Sequence, residues 1–211
     1  MLAALKRLDR ALFPDLLVLG LTRETVGSAS VLDVGCGQGG PMARVPKPPR
    51  LVGLDGHAAS IERLRAKAIY DELICAPLAA ASVAPASFHT VVCLDVIEHF
   101  EKPGALALVA ALERWATHKV ILATPNGFLP QRPYDDNPFQ EHKCGFSVAE
   151  LKALGYRVRG TGGPKPLRGE EAVLRFWPKP LWHRISGALQ PITWYWPQGA
   201  FALLAVKDLR P

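Results

Sequence analysis

The sequence predicts an α/β protein built on a parallel sheet, and three observations predict it. Short β-branched runs recur along the chain, helix-like stretches separate several of them, and a burst of glycine follows the first run in VLDVGCGQGG, residues 31–40. Strand, helix, strand in this rhythm marks βαβ units, whose crossovers place helices on both faces of the sheet.

The N-terminal stretch MLAALKRLDRALFPDLLVLGL is apolar, but Lys6, Arg7, Asp9, Arg10 and Asp15 interrupt it. No unbroken run reaches the roughly 18 apolar residues of a membrane span. It reads as an amphipathic helix within residues 1–28, with Leu2, Leu5, Leu8 and Leu12 on one face. VLDVG (31–35), LVGLD (51–55), ELICA (72–76), HTVVCLD (89–95) and KVILATP (119–125) read as buried strands. Between them, HAASIERLRAKAI (57–69) and PGALALVAALERWA (103–116) read as helices. The crossover 40–50 holds Pro41, Pro46, Pro48 and Pro49 and leaves room for a single short helical turn, and 77–87 is proline-bounded and irregular.

Residues 124–146 have no clear period, and loops of that length in compact domains are usually functional or disordered. SVAELKAL (147–154) reopens a helix, with Ser147 as N-cap and Glu150 three residues on. YRVRGTG follows as a strand, residues 162–199 read as an insertion, and FALLAVKDL closes as the last strand. The organisation expected is one domain, 1–211, with a core at 29–160.

Composition narrows the setting. The four cysteines, Cys36, Cys75, Cys93 and Cys144, lie far apart without a CxxC pair, which argues against a zinc site or disulfide framework and for a reducing, cytoplasmic location. Residues 1–150 carry 15 Lys+Arg against 16 Asp+Glu, whereas residues 151–211 carry 10 against 3. The excess positive charge is therefore C-terminal, as are Trp177, Trp182, Trp194 and Trp196. Such a segment suits packing on the sheet or on another subunit, peripheral contact with a membrane, or an anionic acceptor. Nucleic acid is disfavoured, because basic residues are few and no RNA-binding module is present.

Gly35-x-Gly37-x-x-Gly40 matches a dinucleotide fingerprint, which keeps a nicotinamide-dependent reductase open. Two details point elsewhere. Asp33 sits inside the strand, where that fingerprint has an apolar residue, and the glycines run at 35, 37, 39 and 40 as D-x-G-x-G-x-G. With Asp55 closing the next strand, VVCLDVIEHF (91–100), ILATPNG (121–127) and EHKCGFSVAELKALGYRV (141–158), the chain resembles the class I S-adenosylmethionine-dependent methyltransferases over about residues 28–160.

The resemblance implies a Rossmann-like, seven-stranded, mostly parallel sheet with the last strand antiparallel. It implies that Asp33, Gly35, Cys36, Gly37 and Gly39 shape the methionine end of a cofactor pocket, that Asp55 holds the ribose, that Gly56 and His57 flank the adenine, and that Asp95 lines the pocket near the sulfonium. Ala76 and Pro77 stand where the family often has an acid for the adenine amine, so either recognition there rests on backbone groups or cofactor affinity is lower. The expected activity is methyl transfer to a small-molecule or lipid-linked acceptor at oxygen. A catalytically silent, cofactor-binding partner subunit is the alternative from another class.

An oxygen acceptor needs a base, and the candidates are Glu98 and His99 in VIEHF and His142 in the long loop. Asp95-x-x-Glu98-His99 with His142 also resembles the divalent-metal clusters of ubiquinone-biosynthesis O-methyltransferases and small-RNA 3′-terminal 2′-O-methyltransferases. Here aspartate replaces the first glutamate, and metal binding is weighed below a base role. The plainer reading is that Glu98 and His99 start the helix after the fourth strand.

Overall fold

A computed structural model describes residues 14–132, 137–169 and 172–210. Leu2, Leu5, Leu8 and Leu12 lie outside the described residues. Helix α1 spans Leu16–Thr25, capped by the Asp15 carboxylate accepting from Leu17 N–H. Strand β1 (Ser30–Val34) is followed by a 3₁₀ turn at Pro41–Arg44, the short first crossover that the prolines predict. Next come β2 (Arg50–Asp55), α2 (Ala58–Arg65), β3 (Glu72–Cys75), β4 (Phe88–Leu94), α3 (Lys102–Trp115) and β5 (Ala116–Pro125). The chain closes with α4 (Val148–Ala153), β6 (Arg157–Pro164), α5 (Lys179–Tyr195) and β7 (Ala200–Asp208).

The seven strands form one sheet in the order β3-β2-β1-β4-β5-β7-β6, with β7 antiparallel to both neighbours. Alternation along each strand divides the core. Leu32, Val34, Val91, Cys93, Val120 and Leu122 face one side, where α3 contributes Leu108 and Leu112. Val31, Val92 and Ile121 face the other, against Leu21 of α1 and Ile61 and Leu64 of α2. β3 departs from the buried strand expected of ELICA: it is the sheet edge, with Glu72 and Cys75 exposed and Leu73 and Ile74 half-buried.

Ser147 and Glu150 form the predicted capping box at α4. The supposed insertion begins later than expected, because β6 runs to Pro164, and its main element is α5, packed across β6. The seam is tight: a Cβ on Gly160 would stand 2.2 Å from the Thr193 carbonyl oxygen and 2.4 Å from Ala200 Cβ. Gly160→Ala is therefore expected to destabilise the protein by about 1–3 kcal/mol, the usual cost of overpacking, read as a lower urea midpoint. A midpoint equal to wild type would mean that the helix slides away freely. Of the tail tryptophans, Trp194 packs on the core and Trp182 lies against Phe176 at 4.7 Å, while Trp177 and Trp196 are exposed.

Candidate active site

The order in which strands are added reverses between the parallel neighbours β1 and β4, because β2 and β3 lie to one side of β1 and β4 and β5 to the other. The carboxyl ends of strands beside such a switch point leave a crevice. A cavity of about 310 Å³ occupies it, lined by the loop after β1 (Asp33 through Pro41), by His57, Ser60 and Arg63 after β2, and by Leu94 and Asp95 after β4. Asn137 and Gln140 close it from the long loop.

Glycine is required at the first turn. Gly35 has φ +74°, and a Cβ there would stand 2.2 Å from Val96 Cγ2. Gly37 has φ +50° with nothing within 4 Å of its would-be Cβ, so its backbone fronts open space. Asp55 fixes this loop: Oδ2 accepts from Gly37 N–H at 2.8 Å and Oδ1 from His57 N–H at 2.7 Å. Each oxygen keeps a further lone pair for a ligand hydroxyl. Gly56 approaches the Ala76 carbonyl and Pro77, and His57 Nδ1 pairs with Ser60 Oγ at 2.9 Å.

Asp33 is buried on the face of β1 opposite Leu32 and accepts a 2.5 Å hydrogen bond from the Tyr70 hydroxyl. Burial raises its pKa to about 7; the Tyr70 bond opposes the rise and the Asp55 charge adds to it. Cys36 is buried beside Gly53, and burial followed by the charges of Asp33 and Asp55 drives its thiol pKa up, so it serves as an apolar wall.

The second group gathers residues from opposite ends of the long loop. Ile97–His99 forms a 3₁₀ turn, and α3 begins only at Lys102, so Glu98 and His99 precede the helix rather than start it. The turn is tied to the loop by Lys143 and Cys144 N–H groups donating to the Glu98 carbonyl at 2.8 and 3.1 Å. Glu98 is buried; Oε2 accepts from Thr124 Oγ1 at 3.1 Å, and Oε1 has no hydrogen-bond partner among the described residues. Burial, then the Asp95 charge, raises its pKa well above the carboxylate range.

His99 and His142 lie with ring centroids 4.9 Å apart. His99 Nδ1 meets the Glu141 carbonyl at 3.0 Å and His142 Nδ1 the Leu129 carbonyl at 2.6 Å. A carbonyl only accepts, so each Nδ1 carries the proton and each Nε2 holds its lone pair. Burial lowers the pKa of both rings, keeping them neutral near pH 7. One ligand atom each from Glu98, His99 and His142 lies within 4.8 Å of the others, the one such trio among the described residues. Asp95 is not in it. The expected four-residue cluster is thus three, and Asp95 lines the cofactor-side cavity instead, with its backbone at φ +52°.

Residues outside the sequence reading complete the site. Tyr70 and Thr124 hold the two buried carboxyls, and Asn126 donates to the carbonyls of Pro197, Gln198 and Ala200, pinning the end of β5 to the turn before β7. Thr124 and Asn126 sat in ILATPNG without a role assigned to them, and Tyr70 sat in no motif.

Comparison with known proteins agrees with this geometry. Residues 31–119 match the model of a methyltransferase domain. No curated protein sequence matches the chain. Among solved structures, the methyltransferase domain of bacterial CtHen1 superposes with a TM-score of 0.55 at 17% identity, over 92% of this chain and 96% of that one. Magnesium protoporphyrin IX methyltransferase from Synechocystis PCC 6803, with bound SAM, gives 0.53 at 20% identity, over 94% and 79%. The plantazolicin methyltransferase BpumL, in complex with SAH, gives 0.54 at 16%, over 97% and 84%. With its glycine loop on the segment that matches a methyltransferase domain and its cavity at the switch point of a seven-stranded sheet, the chain shares the fold of these solved methyltransferases and is similar to the class I S-adenosylmethionine-dependent methyltransferases.

Proposed function

We propose that the protein methylates an oxygen of a small-molecule or lipid-linked acceptor, with His99 or His142 as the base. The observation that carries this is the pair of neutral imidazoles, each with Nδ1–H held by a carbonyl and Nε2 left to accept. S-adenosylmethionine supplies a methyl group made electrophilic by its sulfonium. In the transfer, the acceptor oxygen forms a bond to the methyl carbon, the carbon–sulfur bond breaks, and the hydroxyl proton passes to an imidazole Nε2. Alignment and exclusion of water supply most of the acceleration, and the base contributes roughly 10²–10⁴-fold.

The glycine loop and His57 line the smaller cavity, Asp55 and Gly56 stand beside it, and together these residues fit the cofactor. Asp55 holds the ribose hydroxyls, Gly56 and His57 flank the base, Gly35, Cys36, Gly37 and Gly39 let the backbone pass beneath the amino acid, and Asp95 lies toward the sulfonium. Asp33 carries a pKa of about 7 because its charge is buried without a cation. The α-ammonium of the cofactor supplies one, so binding releases a proton. Affinity for S-adenosylhomocysteine is then expected to rise from pH 6 to pH 8 and level off above it, and calorimetry in buffers of different ionisation enthalpy measures the release. Because folding raises this pKa, Asp33 also removes apo-protein stability as pH climbs from the unfolded value near 4 to about 7. Equal affinity across that range, with no proton released, would remove Asp33 from the cofactor site.

A second reading has an observation of its own. The unpartnered, buried Glu98 Oε1 and the two Nε2 lone pairs form an oxygen-and-nitrogen donor set in which carbonyls orient both imidazoles, as outer partners do in metal sites. There Glu98, His99 and His142 would hold a divalent cation that binds the acceptor oxygen and lowers its pKa. Titration with S-adenosylmethionine, S-adenosylhomocysteine and NADH, with and without Mg²⁺ or Mn²⁺, tests both readings. Binding of the adenosyl compounds alone supports the cofactor, Mn²⁺ binding lost in Glu98→Gln supports the cation, and NADH binding overturns both.

A further inference from the structure

A second cavity, of about 720 Å³, lies away from the glycine loop. It lies between the loop after β5 and the C-terminal half of α5, and its volume suits a ligand of drug or lipid size. Apolar side chains form most of its wall: Leu129, Leu189, Ile192, Trp196 and Phe201. Ile192 and Trp196 are 59% and 61% exposed, so two of the protein's large solvent-facing hydrophobics are exposed as walls of this one space.

Three cations share the lining: Lys165, Arg168 and Arg175. Lys165 Nζ donates to the Asn126 carbonyl, and Arg168 donates from Nε to Gly162 and from its terminal nitrogen to Ala172, again to carbonyls. Among the described residues no carboxylate pairs with any of the three. Over residues 165–199 five basic residues face two acidic ones, so the segment carries net positive charge. A half-buried guanidinium without an anion is costly, and burial lowers the Arg168 pKa. The space has apolar walls and, among the described residues, positive charge without a carboxylate partner.

The wall of the cavity is tied to the residues that hold the proposed base. Leu129, part of its wall, supplies the carbonyl that orients His142, and Asn126, which accepts from Lys165, follows β5 two residues after Thr124, the partner of Glu98. From these observations, and resting on the methyl-transfer reading above, we infer that this cavity seats the body of the methyl acceptor and that the acceptor is an amphiphilic anion: an apolar body bearing a carboxylate or phosphate. The apolar part lies on Leu189, Ile192 and Trp196, and the anion pairs with Arg168 and Arg175.

Calorimetric titration of the full chain with octyl phosphate, octanol and inorganic phosphate tests the inference. Octyl phosphate is expected to bind at least tenfold tighter than either fragment of its chemistry. Ile192→Glu and Arg175→Gln are each expected to weaken it at least tenfold, while Lys47→Gln, at a remote exposed ion pair with Asp71, leaves it unchanged. S-adenosylhomocysteine is titrated into every variant, and unchanged affinity shows that the fold and the other cavity are intact. Equal binding of octyl phosphate and octanol, or wild-type affinity in both cavity variants, overturns the inference. Affinity for anionic phospholipid vesicles without affinity for monomeric octyl phosphate overturns it too, in favour of surface docking through Trp177 and its neighbours. Octyl phosphate binding with the expected variant pattern, but no affinity for adenosyl compounds in wild type, supports the cavity assignment and overturns the methyl-transfer reading.

Discussion

Asp55→Ala is expected to weaken binding of S-adenosylhomocysteine by about two orders of magnitude or more. The carboxylate does two things at once. It receives the N–H groups of Gly37 and His57, one on each oxygen, and so ties the glycine loop to the end of β2. A hydrogen bond to a charged group contributes about 1.5–3 kcal/mol, and every 1.4 kcal/mol is a factor of ten in affinity. Losing the loop's anchor alone reaches the stated effect, before any bond to the ribose is counted. Asp55→Asn separates the contributions: the amide keeps one acceptor oxygen but turns the other position into a donor facing an N–H. An intermediate loss, with a melting temperature closer to wild type than that of the alanine variant, is the expected pattern. Tight binding in Asp55→Ala would mean that neither loop anchoring nor ribose recognition depends on this residue.

What could be read from the chain divides by the range of the interaction. Strand positions were legible because buried strands announce themselves locally, in β-branched runs such as VVCL and VILA. The glycine loop was legible because a positive φ at residues 35, 37 and 39 leaves few other residues possible. The edge position of β3 was not, since four residues of apolar character do not say how many neighbours a strand has. The pairing of Tyr70 with Asp33 spans 37 residues, and that of Thr124 with Glu98 spans 26, with no local signature for either. Helix α5 was hidden by its prolines. Pro180 sits in the first turn, where the missing N–H costs nothing, and Pro191 interrupts the hydrogen-bond ladder, yet packing on Gly160 and Gly163 holds the helix in place. The histidines stood between these cases: their residue types marked them as candidates, but only the loop's closure, through Gln131 to the Gln140 carbonyl at 2.9 Å and His142 N–H to Gln131 at 3.2 Å, brings one ring to the other.

That closure sets the second large effect. His142→Ala removes an imidazole whose Nδ1–H is fixed to Leu129, and His99→Ala removes its neighbour, fixed to Glu141. If either ring is the base, its loss is expected to lower kcat by about 10²–10⁴-fold while S-adenosylhomocysteine affinity stays within a few-fold of wild type, because neither histidine lines the glycine-loop cavity. The pH profile assigns the ring. Burial holds both pKa values below the usual histidine range, so wild-type activity is expected to rise with pH through a midpoint below 6.5 and to stay flat above neutrality. The variant lacking the base loses that acid limb, whereas the variant lacking only its neighbour keeps it, with the midpoint raised when His99 remains and the His142 charge is gone. A metal-centred site behaves differently: both variants and Glu98→Gln then fail together, and chelator abolishes wild-type turnover. Full activity in both histidine variants with the true acceptor would remove the base assignment altogether, leaving alignment and desolvation as the whole of the catalysis.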